Sequence, residues 1–161
     1  MEVAAKALAR CLLPVAHLTA PGHARHVACQ WALGVRFPAE DLRGLTPAAY
    51  AAFTTAWTEA FWRDGQMIGL TSGHRDAAVQ HRIYLADLQR PGPPQALHPA
   101  ESSHVRGIAM DVRPREGARW LEENGARYNL YRTYDNEWWH FEHRLHRPQR
   151  LPYPGAVRAY K

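Results

Sequence analysis

The chain has 161 residues, of which 46% are hydrophobic, 11% aromatic and 22% charged. That is enough for one domain with its own core and no staple of disulfides or metal, and the composition excludes wholesale disorder. Twenty Lys and Arg against 15 Asp and Glu leave a net charge of +5, which suits an anionic partner without choosing among nucleic acid, lipid and wall polymer. No apolar run approaches the roughly 20 residues that span a bilayer.

In chain order, Met1 to Leu13 is helix-prone. The apolar stretch from Cys11 to Ala16 is broken by Pro14 and makes a poor signal peptide. Pro21 to Arg43 carries Gly22, Gly34 and Pro38 as breakers and receives no assignment. Residues 1–44 are expected to form an N-terminal helical extension packed on the same domain as residues 45–161. Cys11 and Cys29 are too few for a disulfide framework, and read as one bridge or two buried free thiols. Thr46 before Pro47 is a helix start, with an N-cap hydroxyl and then Pro at the first helical position. Tyr50, Phe53, Trp57 and Phe61 follow at helical spacing as a core stripe, and Gly65 ends the run.

Gln66 to Thr71 reads as a strand. Arg75 to Leu88 reads as a helix with Val79, Ile83 and Leu88 apolar. Arg90 to Pro94 is a loop. A strand over Gly107–Val112 and a helix over Ala118–Ala126 come next. Asn129–Tyr134 and Trp138–His143 read as a hairpin joined through Asp135 and Asn136, and the Pro-rich tail after Arg147 as irregular. The expected fold is α+β, a small and largely antiparallel sheet with helices packed on it.

Three clusters carry chemistry. In the strand after Ser102-Ser103-His104, Ile108, Met110 and Val112 share one face by period two, while Gly107, Ala109 and Asp111 share the other. That second face is bare and ends in a carboxylate, so it leaves room for a ligand or another backbone. In Asn136-Glu137-Trp138-Trp139-His140, an imidazole lies three residues after a carboxylate. His104, Asp111 and His140 together would make a two-His, one-carboxylate set suited to zinc with a fourth position open to water. Glu137 would then be a general base for that water. On spacing alone the alternative stands that the two His are unrelated and Asp111 caps a turn. The third cluster, Thr71-Ser72-Gly73-His74-Arg75, offers Arg75 as a grip on a carboxylate or an oxyanion, or as a helix-start Arg paired with Asp76.

The run Ser102-x-His104-x-x-Gly107-x-Ala109-x-Asp111, then Glu137-x-Trp139-His140, resembles the zinc D-Ala-D-Ala carboxypeptidases, a family that also holds peptidoglycan L-Ala-D-Glu endopeptidases, many of them phage endolysins. Ser72-Gly73-His74-Arg75 followed by Gln80 looks like that family's Ser-Gly-Tyr-Arg segment, with His74 in place of Tyr. Trp120 to Tyr128 looks like the helix preceding its final hairpin. The resemblance runs from about Leu45 to His143. Trp138 stands where many relatives have Pro, which looks more like the D-Ala-D-Ala dipeptidase branch and leaves substrate length open.

The resemblance implies zinc held by His104, Asp111 and His140, Glu137 as catalytic base, and Arg75 as the cation on substrate or transition state. Ser102, Gln80 and Trp139 are the expected substrate-binding residues. The expected partner is a peptidoglycan stem peptide or its precursor, with no nucleic acid and no transmembrane segment. D-Ala-D-Ala carboxypeptidase activity stands first, ahead of the endopeptidase and dipeptidase, and a zinc-bearing binding module without turnover is the rival class. With no clear signal peptide, the expected location is the cytoplasm, or the cell wall after release as a phage-type lysin.

Overall fold

The computed structural model describes residues 2–38, 40–92 and 95–156. Five α-helices and four strands follow in the order α1 (Glu2–Thr19), α2 (Ala24–Arg36), α3 (Pro47–Glu59), β1 (Gly69–Ser72), α4 (Ala77–Asp87), β2 (Ala109–Arg113), α5 (Arg115–Asn124), β3 (Leu130–Arg132) and β4 (His140–His143). The strands form one antiparallel sheet in the order β1-β2-β4-β3. The fold is α+β, as the order of elements predicts. No helix among the described residues is long and apolar enough to cross a membrane.

One face of the sheet is covered by helices. Met110 and Val112 of β2, Phe141 of β4 and Leu130 of β3 meet Phe53, Trp57 and Phe61, with Leu121 of α5 alongside. Thr46 caps α3 as its sequence demands, its hydroxyl accepting from the Ala49 amide. The helix then loosens into a π-helical turn over Ala60–Asp64, which Gly65 ends at φ +71°. Tyr50 departs from the expected core stripe and is 40% exposed.

The N-terminal segment differs most from its reading. The segment left unassigned contains a full helix, α2. α1 continues through Pro14 to Thr19. Pro removes one hydrogen bond there, but Ala9 and Ala16 are fully buried and the two helices pack along their length. Cys29, Leu33 and Phe37 belong to the same core as Phe53. Cys29 accepts a hydrogen bond from the Trp57 indole at 2.9 Å, and burial pushes its thiol up to about 12. Cys11 is exposed and unbridged, against the expectation of a disulfide or two buried thiols.

α4 begins two residues later than expected because Asp76 is its N-cap, accepting from the amides of Ala78 and Val79. Arg75 therefore lies outside the helix. Val79, Ile83 and Leu88 stay at the surface, and Gln80 is the buried residue of this helix. Strand β2 starts at Ala109, not at Gly107, because Gly107 has φ +68°. A Cβ there would sit 2.3 Å from the Gly44 carbonyl oxygen. The space beside Gly107 is filled by the chain's own backbone, with the Thr46 amide donating to the Gly107 carbonyl at 2.8 Å.

Glu40 tucks against β1, its carboxyl accepting from the Leu70 amide, and burial raises it from 4.5 to about 7. The folded chain thus holds a proton there that the unfolded chain releases earlier. That stability is present below pH 4.5 and is lost as pH rises through about 7. Glu40→Gln, which stays neutral, is expected to lose this pH dependence and to melt higher than the native chain at pH 8. Parallel melting curves from pH 4 to 8 would refute this.

Candidate metal centre

The other face of the sheet carries the polar cluster. The register pairs Ser72 with Asp111 across β1 and β2, and Asp111 with His140 across β2 and β4. Leu70 pairs with Val112, so β1 advances two residues while β2 advances one. This bulge turns β1 from the core side to the cluster side between Leu70 and Ser72. His104 arrives from a run of tight turns between α4 and β2, closed by Gly107 N–H to the His104 carbonyl at 3.0 Å and Ile108 N–H to the Ser103 carbonyl at 3.0 Å.

Three donor atoms converge. Asp111 Oδ1 lies 3.3 Å from His104 Nε2 and 3.0 Å from His140 Nδ1, and one ligand atom from each residue lies within 4.8 Å of the others. The outer ring nitrogens are engaged elsewhere. His104 Nδ1 meets the Gly73 carbonyl at 2.7 Å, and His140 Nε2 meets Glu142 Oε1 at 3.2 Å. Each imidazole that donates outward keeps a lone pair facing inward. Two inward-facing imidazoles and a carboxylate, all mostly buried, fit a zinc ion.

Burial works to raise the Asp111 carboxyl, but hydrogen bonds from both His outweigh it and hold the group well below the usual carboxylate range. Burial works to lower His140, yet Asp111 and Glu142 raise it to about 9. Glu137 Oε2 lies 3.8 Å from His140 Nδ1, and its carboxyl is raised, chiefly by burial. Arg132 shapes the loop that carries Glu137, donating to the carbonyls of Tyr134 (3.0 Å), Asp135 (2.6 Å) and Glu137 (3.2 Å).

Arg75 approaches from the β1 side. Its Nη1 donates to Gln80 Oε1 at 2.8 Å and its Nη2 to Ser72 Oγ at 3.1 Å, with Asp111 Oδ2 3.9 Å away. Gln80 in turn donates to the Leu97 carbonyl at 2.8 Å. Both ends of the Gln80 amide are thus occupied within the protein. The Ser102 hydroxyl is buried and accepts from the Val105 amide at 3.4 Å. Trp139 faces the site, while Trp138 packs against the core with Arg115 over its ring.

All eight residues singled out in the sequence (Arg75, Gln80, Ser102, His104, Asp111, Glu137, Trp139 and His140) line one cleft. The sequence reading missed Ser103, Tyr134, Arg132 and Glu142. Glu142 had a signal, because period two along β4 puts it on the face of His140. Tyr134, the last residue of the expected strand, and Pro154, from the Pro-rich tail, also line the cleft.

No protein-family model matches the sequence, and no curated protein matches it. Solved structures do. The LdcB LD-carboxypeptidase superposes with a TM-score of 0.57 at 22% identity, over 66% of this chain and 64% of its own, so the chain spans just under two thirds of LdcB. A mutant of the vancomycin-resistance D,D-pentapeptidase VanY, solved with Zn(II), gives 0.53 at 22% identity over 65% of this chain and 76% of its own. VanYB in complex with D-alanine-D-alanine gives 0.52 at 22% identity over 62% and 71%. This chain has the fold of the LdcB and VanY peptidases.

Proposed function

We propose that this protein is a zinc metallopeptidase that hydrolyses peptidoglycan-type peptides containing D-amino acids, in the manner of a D-Ala-D-Ala carboxypeptidase. The observation that carries the reading is the convergence of His104 Nε2, Asp111 Oδ1 and His140 Nδ1 beside Glu137 in one cleft. The solved structures that share the fold include an LD-carboxypeptidase with a described basis for peptidoglycan recognition and VanYB bound to D-alanine-D-alanine, which supports this substrate class.

Zinc, when bound to the three donors, supplies a Lewis acid and lowers the pKa of water to about 7. The rest is the work of the chain. Glu137, half-buried with its carboxyl raised, is placed to take a proton from water and return it to the leaving amine. Arg75 uses two of its N–H groups on Gln80 and Ser72 and keeps others for a substrate carboxylate or a developing oxyanion. Gln80 thereby holds Arg75 in place. Trp139 and Ser102 supply an apolar wall and a polar point in the cleft.

The protein is to be incubated with purified peptidoglycan and with a soluble pentapeptide precursor, with and without chelator, and the products read by mass spectrometry. Chelator-sensitive loss of one D-Ala is expected. A new D-Glu amino terminus would make the enzyme an endopeptidase instead, and no product from either substrate would overturn the carboxypeptidase reading in favour of the dipeptidase or of the binding module. Glu137→Gln is expected to lower turnover by about 10²- to 10⁴-fold with zinc content unchanged. Turnover at the native rate would remove Glu137 from the base role.

A further inference from the structure

Glu142 has no place in the chemistry above, yet it is one of the most buried carboxylates in the protein, at 1% exposure. A buried carboxylate is costly unless its oxygens are satisfied, and here both are. Oε1 accepts from the Ser103 hydroxyl at 2.6 Å and faces His140 Nε2 at 3.2 Å. Oε2 accepts from Arg144 Nε at 2.7 Å. Across the ladder Glu142 pairs with Ala109, whose side chain is a single methyl. The bare strand face that the sequence offers to a ligand is, at this position, room for Glu142.

We infer that Glu142 is a positioning residue that fixes the tautomer and orientation of His140 and ties the His104 turn to the His140 strand. A neutral imidazole has one donor nitrogen and one acceptor. Donation from Nε2 to Glu142 leaves the Nδ1 lone pair facing Asp111 and His104, the state in which that nitrogen can join a metal. Ser103 immediately precedes His104, so a single carboxylate touches both ligand-bearing segments. The Gly73 carbonyl does the equivalent for His104, with the nitrogens exchanged. Outer partners of this kind change metal affinity by about 10- to 100-fold.

The inference rests on the zinc reading, and the test separates the two. Zinc affinity is measured by competition with a chromophoric chelator on the native chain and on Glu142→Ala, Glu142→Gln and Ser103→Ala, with circular dichroism as the check on folding. Failure of the native chain to bind zinc would sink the zinc reading itself. If it binds, Glu142→Ala is expected to weaken zinc by about 10- to 100-fold. Glu142→Gln is expected to recover most of that, because one amide oxygen can accept from both His140 and Ser103 while Arg144, partly exposed, turns to water. Ser103→Ala, which keeps the carboxylate, is expected to lose a few-fold.

Nitrogen-15 spectra of the histidine rings give a readout that bulk destabilisation would not move. On the metal-free chain above pH 9, where the His140 ring is neutral, the native chain and Glu142→Gln should show His140 protonated at Nε2, and Glu142→Ala a mixture of tautomers. Native zinc affinity in a folded Glu142→Ala would overturn the inference. So would the absence of any recovery in Glu142→Gln. If Glu142→Ala does not fold, native affinity in both Glu142→Gln and Ser103→Ala overturns it.

Discussion

The candidate site depends on the register of β2. Asp111 lies opposite Ser72 on one side and His140 on the other, and this row is what brings a carboxylate against an imidazole on the face turned away from the core. A slip of one residue would send Asp111 into the core and Met110 into the cleft, because side chains alternate across a strand. The core holds the register in place. Met110, Val112 and Phe141 are nearly fully buried against Phe53, Trp57 and Phe61, and burying side chains of this size contributes roughly 1.5–3 kcal/mol each. The aromatic residues of α3 and of the π-helical turn after it thus set the geometry of the donors on the opposite face.

Collecting charge in a buried place needs compensation, and the sequence provides it in alternating sign. Asp111 lies between two imidazoles, His140 between two carboxylates, and Glu142 between His140 and Arg144. In the metal-free chain the result is a proton-holding network, with His140 raised to about 9 and Glu142 drawn down to about 2. Burial opposes both shifts, and hydrogen bonding overcomes it. A dication entering among the same inner atoms takes over the role of the proton on His140, so metal uptake and proton release are linked.

The chemistry of the site was more legible in the sequence than its scaffold. His104, Asp111, Glu137 and His140 stand at spacings that strand periodicity and ligand chemistry can interpret, and all four meet. Thr46 before Pro47 announced α3 because a cap is a local event. The bounds of α2 are not legible because Gly34 and Pro38 read as breakers, although Gly34 lies inside the helix and Pro38 follows it. Pro14 looked like a helix end, but the packing of Ala9 and Ala16 carries α1 through it. Gly107 and Ala109 signal a close approach, which is of another backbone at Gly107 and of a side chain at Ala109. Their small size admits the Gly44 backbone and the Glu142 side chain, contacts that depend on residues more than 30 positions away and leave no local pattern.

The central claim is that His104, Asp111 and His140 together hold one zinc ion, and X-ray absorption at the zinc edge of the metal-loaded protein tests it most directly. The account predicts one zinc per chain with a first shell of nitrogen and oxygen at about 2.0–2.2 Å and outer scattering from two imidazoles. A sulfur shell at about 2.3 Å, as Cys11 would give, or scattering without imidazole, would contradict it.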